Sequence, residues 1–292
     1  RFTDRIGKGL RSSPRDAMIA DDTPTETRGT AFGFHRAMDH CGALLGPILA
    51  YLLLRHAGVA LETVFLWAVL PGALGVLVLG LAVREEPREG VPARRSGEQG
   101  LRPTGRFRAY LLLVCLFTLG NSSDSFLILR AHELGMTVAL APILSALLHV
   151  VKALASTPGG WLSDRLGRRP LLILGWALYA ALYAVVGFTS SLAGLWIVVT
   201  VYGLYYGLTE GVQKAWVADL VEPAQRGVAF GWYHTAIGIG ALPANVLFGI
   251  VWKTWGSAAA FVVAAGFAAL AVLGLLLFVT TTPRAPGPST PD

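Results

Sequence analysis

Residues 160–169 read GWLSDRLGRR, a short charged segment between two long apolar stretches of the chain. Gly160 and Gly167 permit close helix approach and a sharp turn. Asp164 can bind the N-terminus of a nearby helix, where the helix dipole favours an anion. The basic residues of the segment can anchor it at lipid headgroups, and they are Arg165, Arg168 and Arg169. The segment therefore predicts a turn that joins two membrane-spanning helices.

Apolar runs of about 20 residues, the length that spans a bilayer as a helix, lie on both sides of this segment. Gly and Pro occur within them, which membrane helices tolerate better than soluble ones. We find eight runs, at Arg28–Leu54, Leu61–Val83, Arg108–Leu129, Thr137–Thr157, Pro170–Phe188, Leu192–Gly211, Gly227–Trp252 and Ser257–Val279. The sequence predicts an all-α, multi-pass membrane protein.

The composition supports a membrane protein, because 54% of the 292 residues are hydrophobic and 14% are charged, against about 25% charged in soluble domains. The net charge of +6 is scattered in short clusters, whereas a nucleic-acid binder gathers its charge on one face. Cys41 and Cys115 both lie in apolar runs and suggest no disulfide framework. We therefore expect no metal, no cofactor and no nucleic-acid partner.

The basic residues predict the orientation of the helices. With the charged stretch before Arg108 placed inside, 19 of the 24 basic residues lie in inside segments and three in outside segments. This is the positive-inside pattern. Arg36 and Lys152 remain within the membrane.

An internal repeat relates the two ends of the chain. Residues 28–33 read RGTAFG and residues 226–231 read RGVAFG, and ten identities share the same offset of 198 residues. A repeat that holds six helices predicts two parallel six-helix halves. By this spacing the chain has the end of helix 4 and helices 5–12 of a twelve-helix protein, so we expect an N-terminally truncated fragment.

The predicted domains follow from the repeat and from composition. Residues 1–83 form the remainder of the N-terminal half, with the end of helix 4 and helices 5 and 6. Residues 84–106, rich in charge, Pro and Gly, form a cytoplasmic linker. Residues 107–280 form the C-terminal half with helices 7–12, and residues 281–292 form a disordered tail.

Residues 160–169 match G-x-x-x-D-R-x-G-R-R, and this segment resembles the cytoplasmic-loop signature of the major facilitator superfamily (MFS). Residues 4–11 and 14–17, DRIGKGLR and PRDA, resemble a bacterial subgroup of that superfamily. The resemblance implies the MFS fold in the bacterial inner membrane and secondary transport by alternating access. It also implies that Asp164 holds the two halves together on one side and releases them during transport. We expect Asp164 to contact the start of the helix at Gly29. The alternative is a solvated loop that only sets topology.

Ionisable residues inside a bilayer are costly and are therefore candidates for function. Arg36 and Asp39 lie three apart on one helix, and the repeat maps Arg36 onto His234. The full set of candidates for substrate or proton translocation is Arg36, Asp39, Asn121, Asp124, His149, Lys152 and His234.

Two interpretations of these residues remain open. In one, Arg36, Lys152 or His234 meets a polar or anionic substrate, and Asp39 or Asp124 carries a coupling proton. In the other, Arg36 and Asp39 neutralise each other as a structural pair. Glu210 and Lys214 lie four residues apart near a helix end and suggest a separate surface ion pair.

Small-residue spacing predicts close helix packing at Gly29 and Gly33 and, in the repeat, at Gly227 and Gly231. No residue in the set suggests an active site, since G-x-S-x-G and H-E-x-x-H are both missing from the sequence. We therefore expect a monomeric transporter with a small-molecule substrate, embedded in lipid and coupled to protons. The alternative is a transporter-like sensor or scaffold that does not move solute.

Overall fold

The computed structural model describes residues 2–56, 60–82, 103 and 105–278. Nearly all of the predicted linker and the whole of the predicted tail lie outside these residues. Within them the chain is helical and contains no strand. Ten α-helices follow one another, α1 (Phe2–Asp21), α2 (Arg28–His56), α3 (Leu61–Trp67), α4 (Val69–Ala82), α5 (Gly105–Gly120), α6 (Ser125–Glu133), α7 (Ala141–Leu166), α8 (Arg168–Phe188), α9 (Leu192–Asp219) and α10 (Arg226–Phe278).

Six helical segments are long and apolar enough to cross a membrane. The last, Pro223–Phe278, is 56 residues long and holds two spans, because the backbone breaks at Gly256 with φ 87° and ψ 169°. Only glycine adopts such angles without strain. This break separates the last two apolar runs, as the sequence predicts.

Other helix boundaries differ from the apolar runs. The run Arg108–Leu129 is divided between α5 and α6, because residues 121–124 are not helical. The run Leu61–Val83 is likewise divided, with a turn at Ala68 between α3 and α4. Apolar patterning marks the length of a span but carries little information about a break inside it.

Two helices extend well beyond their runs at one end of the bundle. The run Thr137–Thr157 predicts a helix that stops before the charged segment, but α7 continues through Pro158 to Leu166. Most of the predicted loop is therefore helical, and the turn is reduced to Gly167, where φ is 95°. α9 likewise continues beyond its run to Asp219. Polar residues follow the apolar spans here without ending the helices.

The core of the C-terminal half is rich in aromatic residues. The rings of Phe117 and Trp176 stack with their centroids 4.4 Å apart, and Tyr179 stacks on Tyr183 at 4.2 Å. The Tyr179 hydroxyl donates a 2.7 Å hydrogen bond to the carbonyl of Gly120, at the end of α5. A helix that breaks inside a bilayer needs such partners for its free backbone groups.

The N-terminal segment packs on the C-terminal half mainly through α2, which lies against α7 and α9, and α1, which lies against α10. Phe32 and its repeat equivalent Phe230 meet at this interface with ring centroids 5.9 Å apart, and both are fully buried. Beyond His40, by contrast, most described residues of α2 are exposed. Contact between the halves is thus concentrated at the end of the bundle that carries Asp164.

Close packing is present at one copy of the glycine pair only. A Cβ atom at Gly29 would overlap the carbonyl of Gly160, and one at Gly33 would overlap the carbonyl of Ser156. At Gly227 and Gly231, no described atom lies within 4 Å of such a Cβ. No helix of the described residues packs at this second pair, so its role in helix packing stays a prediction.

We expect Gly33→Ala to lower the thermal unfolding temperature of the purified chain in detergent, because the methyl group would push α2 away from α7. Overpacking of this kind costs about 1–3 kcal/mol. The matched control is Gly231→Ala, at the repeat-equivalent position, where space is open. Equal unfolding temperatures for the two variants would contradict the packing described for Gly33.

Candidate functional site

Asp164 lies at the N-terminus of α2 in the other half. Its carboxylate accepts hydrogen bonds from the backbone N–H groups of Gly29 at 2.9 Å and Thr30 at 2.8 Å, and from the Thr30 hydroxyl at 2.6 Å. These N–H groups have no partner within their own helix. The Asp164 carboxylate thus caps the N-terminus of α2 with charge-assisted hydrogen bonds. These hydrogen bonds cross the interface between the halves.

Arg168 extends this contact into a network. It forms an ion pair with Asp164, four residues earlier, and donates to the Ser163 hydroxyl at 2.7 Å. It also donates to the Thr25 carbonyl at 3.0 Å and to the Asp219 carboxylate at 3.0 Å. Arg168 is buried, so the expectation that it anchors the segment at headgroups is wrong. The nearby carboxylates hold it in the interface instead.

The other two arginines of the segment point elsewhere. Arg165 is exposed and lies over the Trp161 ring, 3.9 Å from its centroid, in a cation–π contact. Arg169 donates hydrogen bonds to the carbonyls of Leu275 and Leu276 near the end of α10. Arg169 therefore ties the start of α8 to the end of α10.

Two further ion pairs join the halves in a crossed arrangement. Arg28 pairs with Asp219, and Arg226 pairs with Asp21 at 2.7 Å. Both arginines also donate to the carbonyl of Ala20, at 3.2 and 3.1 Å. Arg28 and Arg226 are repeat equivalents, as are Asp21 and Asp219. Each arginine therefore binds the acidic residue that belongs to the other copy of the repeat.

Arg36, roughly 12 Å along α2 from its start, forms the centre of a deeper cluster. Its guanidinium makes two hydrogen bonds to Glu210 of α9, at 2.9 and 2.7 Å, and one to Asp39 at 2.8 Å. The predicted Arg36–Asp39 pair is present. The second partner of Arg36 is Glu210, from the other half. Glu210 therefore does not form the separate pair with Lys214 that the sequence spacing predicts.

Two histidines continue this cluster. His40 Nε2 lies 3.1 Å from Glu210 Oε2, and His40 Nδ1 lies 3.4 Å from His149 Nδ1 on α7. His40 is buried, at 6% exposed, whereas His149 is half-buried. The contacts Arg36–Glu210–His40–His149 therefore run from α2 to α9, back to α2 and on to α7.

Lys152 and Asp124 form the ion pair at the other side of this cluster. Lys152 Nζ lies 2.7 Å from Asp124 Oδ2 and 3.4 Å from the centroid of the Tyr206 ring. The hydroxyls of Tyr202 and Tyr206 donate to Asp124 Oδ1 at 2.9 and 3.0 Å. Asn121 donates to the Tyr205 hydroxyl at 3.0 Å. The break between α5 and α6 thus brings a carboxylate to a buried lysine.

A third cluster contains His234, the repeat equivalent of Arg36. His234 Nε2 and Lys214 Nζ each lie 2.9 Å from Asp16 Oδ2, and Asp16 is fully buried. Burial raises the pKa of the Asp16 carboxyl, but the hydrogen bond of His234 and the charge of Lys214 outweigh burial and hold this pKa below its ordinary value. Asp16 lies on α1, which is not one of the six spans.

The structure brings most predicted site residues together and adds several partners. Arg36, Asp39, His149, Lys152 and Asp124 belong to one region, whereas His234 faces Asp16. The residues that the sequence does not single out for this site are Asp16, His40, Tyr202, Tyr206, Glu210 and Lys214. The sequence carries one signal for a missed acidic residue such as Glu210. A carboxylate inside an apolar run needs a cation as its partner, which marks it as a candidate. In the described part of the chain, no group of three or more His, Cys, Asp or Glu could hold a metal ion.

The sequence of the chain is similar to those of known transport proteins. The Major Facilitator Superfamily sequence profile matches residues 1–129 and 110–292. An uncharacterized MFS-type transporter of Methanocaldococcus jannaschii is 34% identical over 261 residues, which are 86% of this chain and 64% of that protein. The oxalate:formate antiporter of Oxalobacter formigenes is 28% identical over 155 residues, 53% of this chain and 36% of the antiporter.

The fold is similar to those of solved transporter structures. The human organic anion transporter MFSD10 superposes with a TM-score of 0.74 at 18% identity, covering 90% of this chain and 67% of that protein. At this identity the likeness concerns the fold. The chain spans less than two thirds of the length of the archaeal relative.

We expect Asp124→Asn to destabilise the chain, because Lys152, 3% exposed, would keep its charge without a carboxylate partner. Removing one member of a buried pair costs about 3–5 kcal/mol, and since the Asp124 side chain is 31% exposed we expect the lower end. The double variant Asp124→Asn, Lys152→Met should recover most of this loss in a thermal unfolding measurement. A double variant as unstable as the single one would contradict the pairing.

Proposed function

Because the chain belongs to the major facilitator superfamily, we propose that it is part of a secondary active transporter that moves a small solute by alternating access, coupled to protons. The observation that carries this proposal is the position of the charged residues. They lie between apolar helices of two halves, with ionic contacts between the halves at the end that carries Asp164. Ion pairs at an interface can break and re-form when one half rotates against the other.

The proposed location is the plasma membrane, in the manner of a bacterial inner membrane protein, with the Asp164 end towards the cytoplasm. The distribution of basic residues supports this orientation, since 19 of 24 then lie inside. In this orientation the present structure is closed on the cytoplasmic side. The exposed residues of α2 beyond His40 then lie towards the outer face of the membrane. We propose a monomer as the transporting unit.

We propose a small polar or anionic solute. Arg36 and Lys152 are the two cations at mid-depth, and each is held by carboxylates that a substrate anion could replace. The oxalate:formate antiporter, 28% identical over 155 residues, supports the choice of small carboxylates as the first probes. The names of the relatives favour transport over a sensor that moves no solute.

We also infer that the transporting unit has twelve helices, of which this chain contributes the later ones. The unequal packing of the glycine pairs supports this inference, because Gly33 meets α7 whereas Gly231 has space for the helix that the repeat requires there. The coverage of 64% of the archaeal relative agrees with it.

The source DNA upstream of the Arg1 codon tests the twelve-helix inference. We expect an open reading frame that continues for about 90 residues, with three apolar spans and a second D-R motif. A start codon and promoter directly before Arg1 would contradict it.

The test of transport is uptake of radiolabelled oxalate and formate into proteoliposomes that contain the twelve-helix protein, with and without a proton gradient. The 292-residue chain is assayed in parallel. Accumulation that depends on the gradient supports the proposal. Saturable binding of either anion without accumulation would favour a sensor instead.

In the same assay we expect Asp164→Asn to slow uptake at least tenfold. The variant loses charge-assisted hydrogen bonds to α2, worth about 1.5–3 kcal/mol, so the conformation closed at this end becomes about ten- to hundredfold less populated. The matched control is Asp22→Asn, because Asp22 is exposed on the same side of the bundle. An uptake rate for Asp164→Asn equal to that of the control would exclude the gating role.

A further inference from the structure

Two carboxylates of the central cluster, Glu210 and Asp124, each accept three hydrogen bonds. Glu210 accepts two hydrogen bonds from Arg36 and one from His40. Asp124 accepts one from Lys152 and two from tyrosine hydroxyls, at 2.7–3.0 Å. Hydrogen bonds to the ionised form of a carboxylate oppose its protonation. Glu210 and Asp124 are therefore poor acceptors for a coupling proton, and the buried part of this region contains another.

The two histidines offer that acceptor. His40 Nε2 faces the Glu210 carboxylate, which has no hydrogen to donate, so Nε2 carries a proton. In neutral His40 the lone pair is then on Nδ1, and the 3.4 Å contact requires His149 to donate from its own Nδ1. One tautomer of each ring is thus fixed by its neighbour. The pair has room for one more proton.

We propose that His40 and His149 form a single proton-binding site at the interface between the halves. The role of this site in proton coupling rests on the proposed function, whereas the binding of the proton does not. An incoming proton binds Nε2 of His149, which is half-buried, and the Nδ1 proton of His149 passes to Nδ1 of buried His40. His149 is then neutral with its proton on Nε2. His40 is an imidazolium that donates to both Glu210 and His149.

The charged neighbours place the positive charge on His40. Glu210 on α9 lies at hydrogen-bond distance from His40 and favours the imidazolium. Lys152 lies one turn from His149 on α7 and disfavours a charge there. Arg36 on α2 and Asp124 before α6 are each bound to an opposite charge. The ring of Tyr206 on α9 is the remaining titratable neighbour, 6.4 Å from the His40 ring.

Protonation of His40 has a consequence for the interface. Glu210 holds Arg36 with two hydrogen bonds and His40 with one. A charged His40 competes with Arg36 for the same carboxylate, and Arg36 retains Asp39 as its second partner. The proton therefore weakens the Arg36–Glu210 contact, which joins α2 to α9, and frees the Nε and Nη2 donors of Arg36 for an anion.

The test is a pH titration of the chain in lipid nanodiscs, with ¹⁵N-labelled histidine followed by NMR between about pH 5 and 8. We expect the ring nitrogens of His40 and His149 to titrate with one common midpoint. In His149→Leu the protonated His40 loses its hydrogen-bond acceptor, so its midpoint should fall by about one pH unit, a tenfold weaker proton affinity. His132→Leu, on α6, is the control and should leave the His40 midpoint unchanged.

Infrared spectra of the same samples follow the carboxylates. Exposed carboxyls give a background band at about pH 5, and we expect no further protonated carboxyl band that depends on Asp124, in the wild type or in His149→Leu. Separate midpoints for the two rings, an unchanged His40 midpoint in His149→Leu, or a protonated carboxyl band that disappears in Asp124→Asn would each overturn the proposed proton site.

The role in coupling has its own measurement, the pH profile of oxalate and formate uptake by the twelve-helix protein. We expect His40→Gln, which keeps a donor towards Glu210, to lose the pH dependence of uptake. If the wild-type protein transports neither anion but its two histidines titrate with a common midpoint, the proposed function is contradicted for these solutes. The proposed proton site is then supported. A pH dependence retained in His40→Gln would remove the coupling role.

Discussion

The bilayer allows no buried charge to stand without a partner, and the arrangement of the helices follows from this constraint. A single ion inside hydrocarbon costs several kcal/mol, and an ion pair recovers that cost only with close geometry and additional hydrogen bonds. In this chain the partners come mostly from the other half. Arg36 binds Glu210, Lys214 binds Asp16, and Arg226 binds Asp21. The interface between the halves therefore depends on ion pairs whose two members come from opposite halves.

The architecture could be predicted from the sequence to a large extent, because spans in a bilayer must be long, apolar and separated by polar turns. The repeat at residues 28–33 and 226–231 identified the two related helices that lie at the interface. Helix ends were harder to predict. α7 and α9 extend past their apolar runs because the polar residues there bind partners within the bundle rather than water, a feature that hydropathy does not carry.

The sequence predicts which residues belong to the candidate site better than it predicts which of them bind each other. Arg36 and Lys152 stand out in any apolar run, but their partners Glu210 and Asp124 come from α9 and from the break before α6. Local spacing was misleading for Glu210 and Lys214, since a pair four residues apart on one helix is a plausible ion pair. Glu210 instead pairs with Arg36, and Lys214 pairs with Asp16, both in the opposite half.

The crossed pairs Arg28–Asp219 and Arg226–Asp21 have a consequence for the history of the sequence. Residues that vary together among relatives are usually residues in contact. Here the partner of each arginine lies in the other copy. A substitution at Asp21 is relieved by a change at Arg226 and not at Arg28. The two copies are thereby bound to evolve together, and covariation among relatives should follow the crossed pattern rather than the order of the chain.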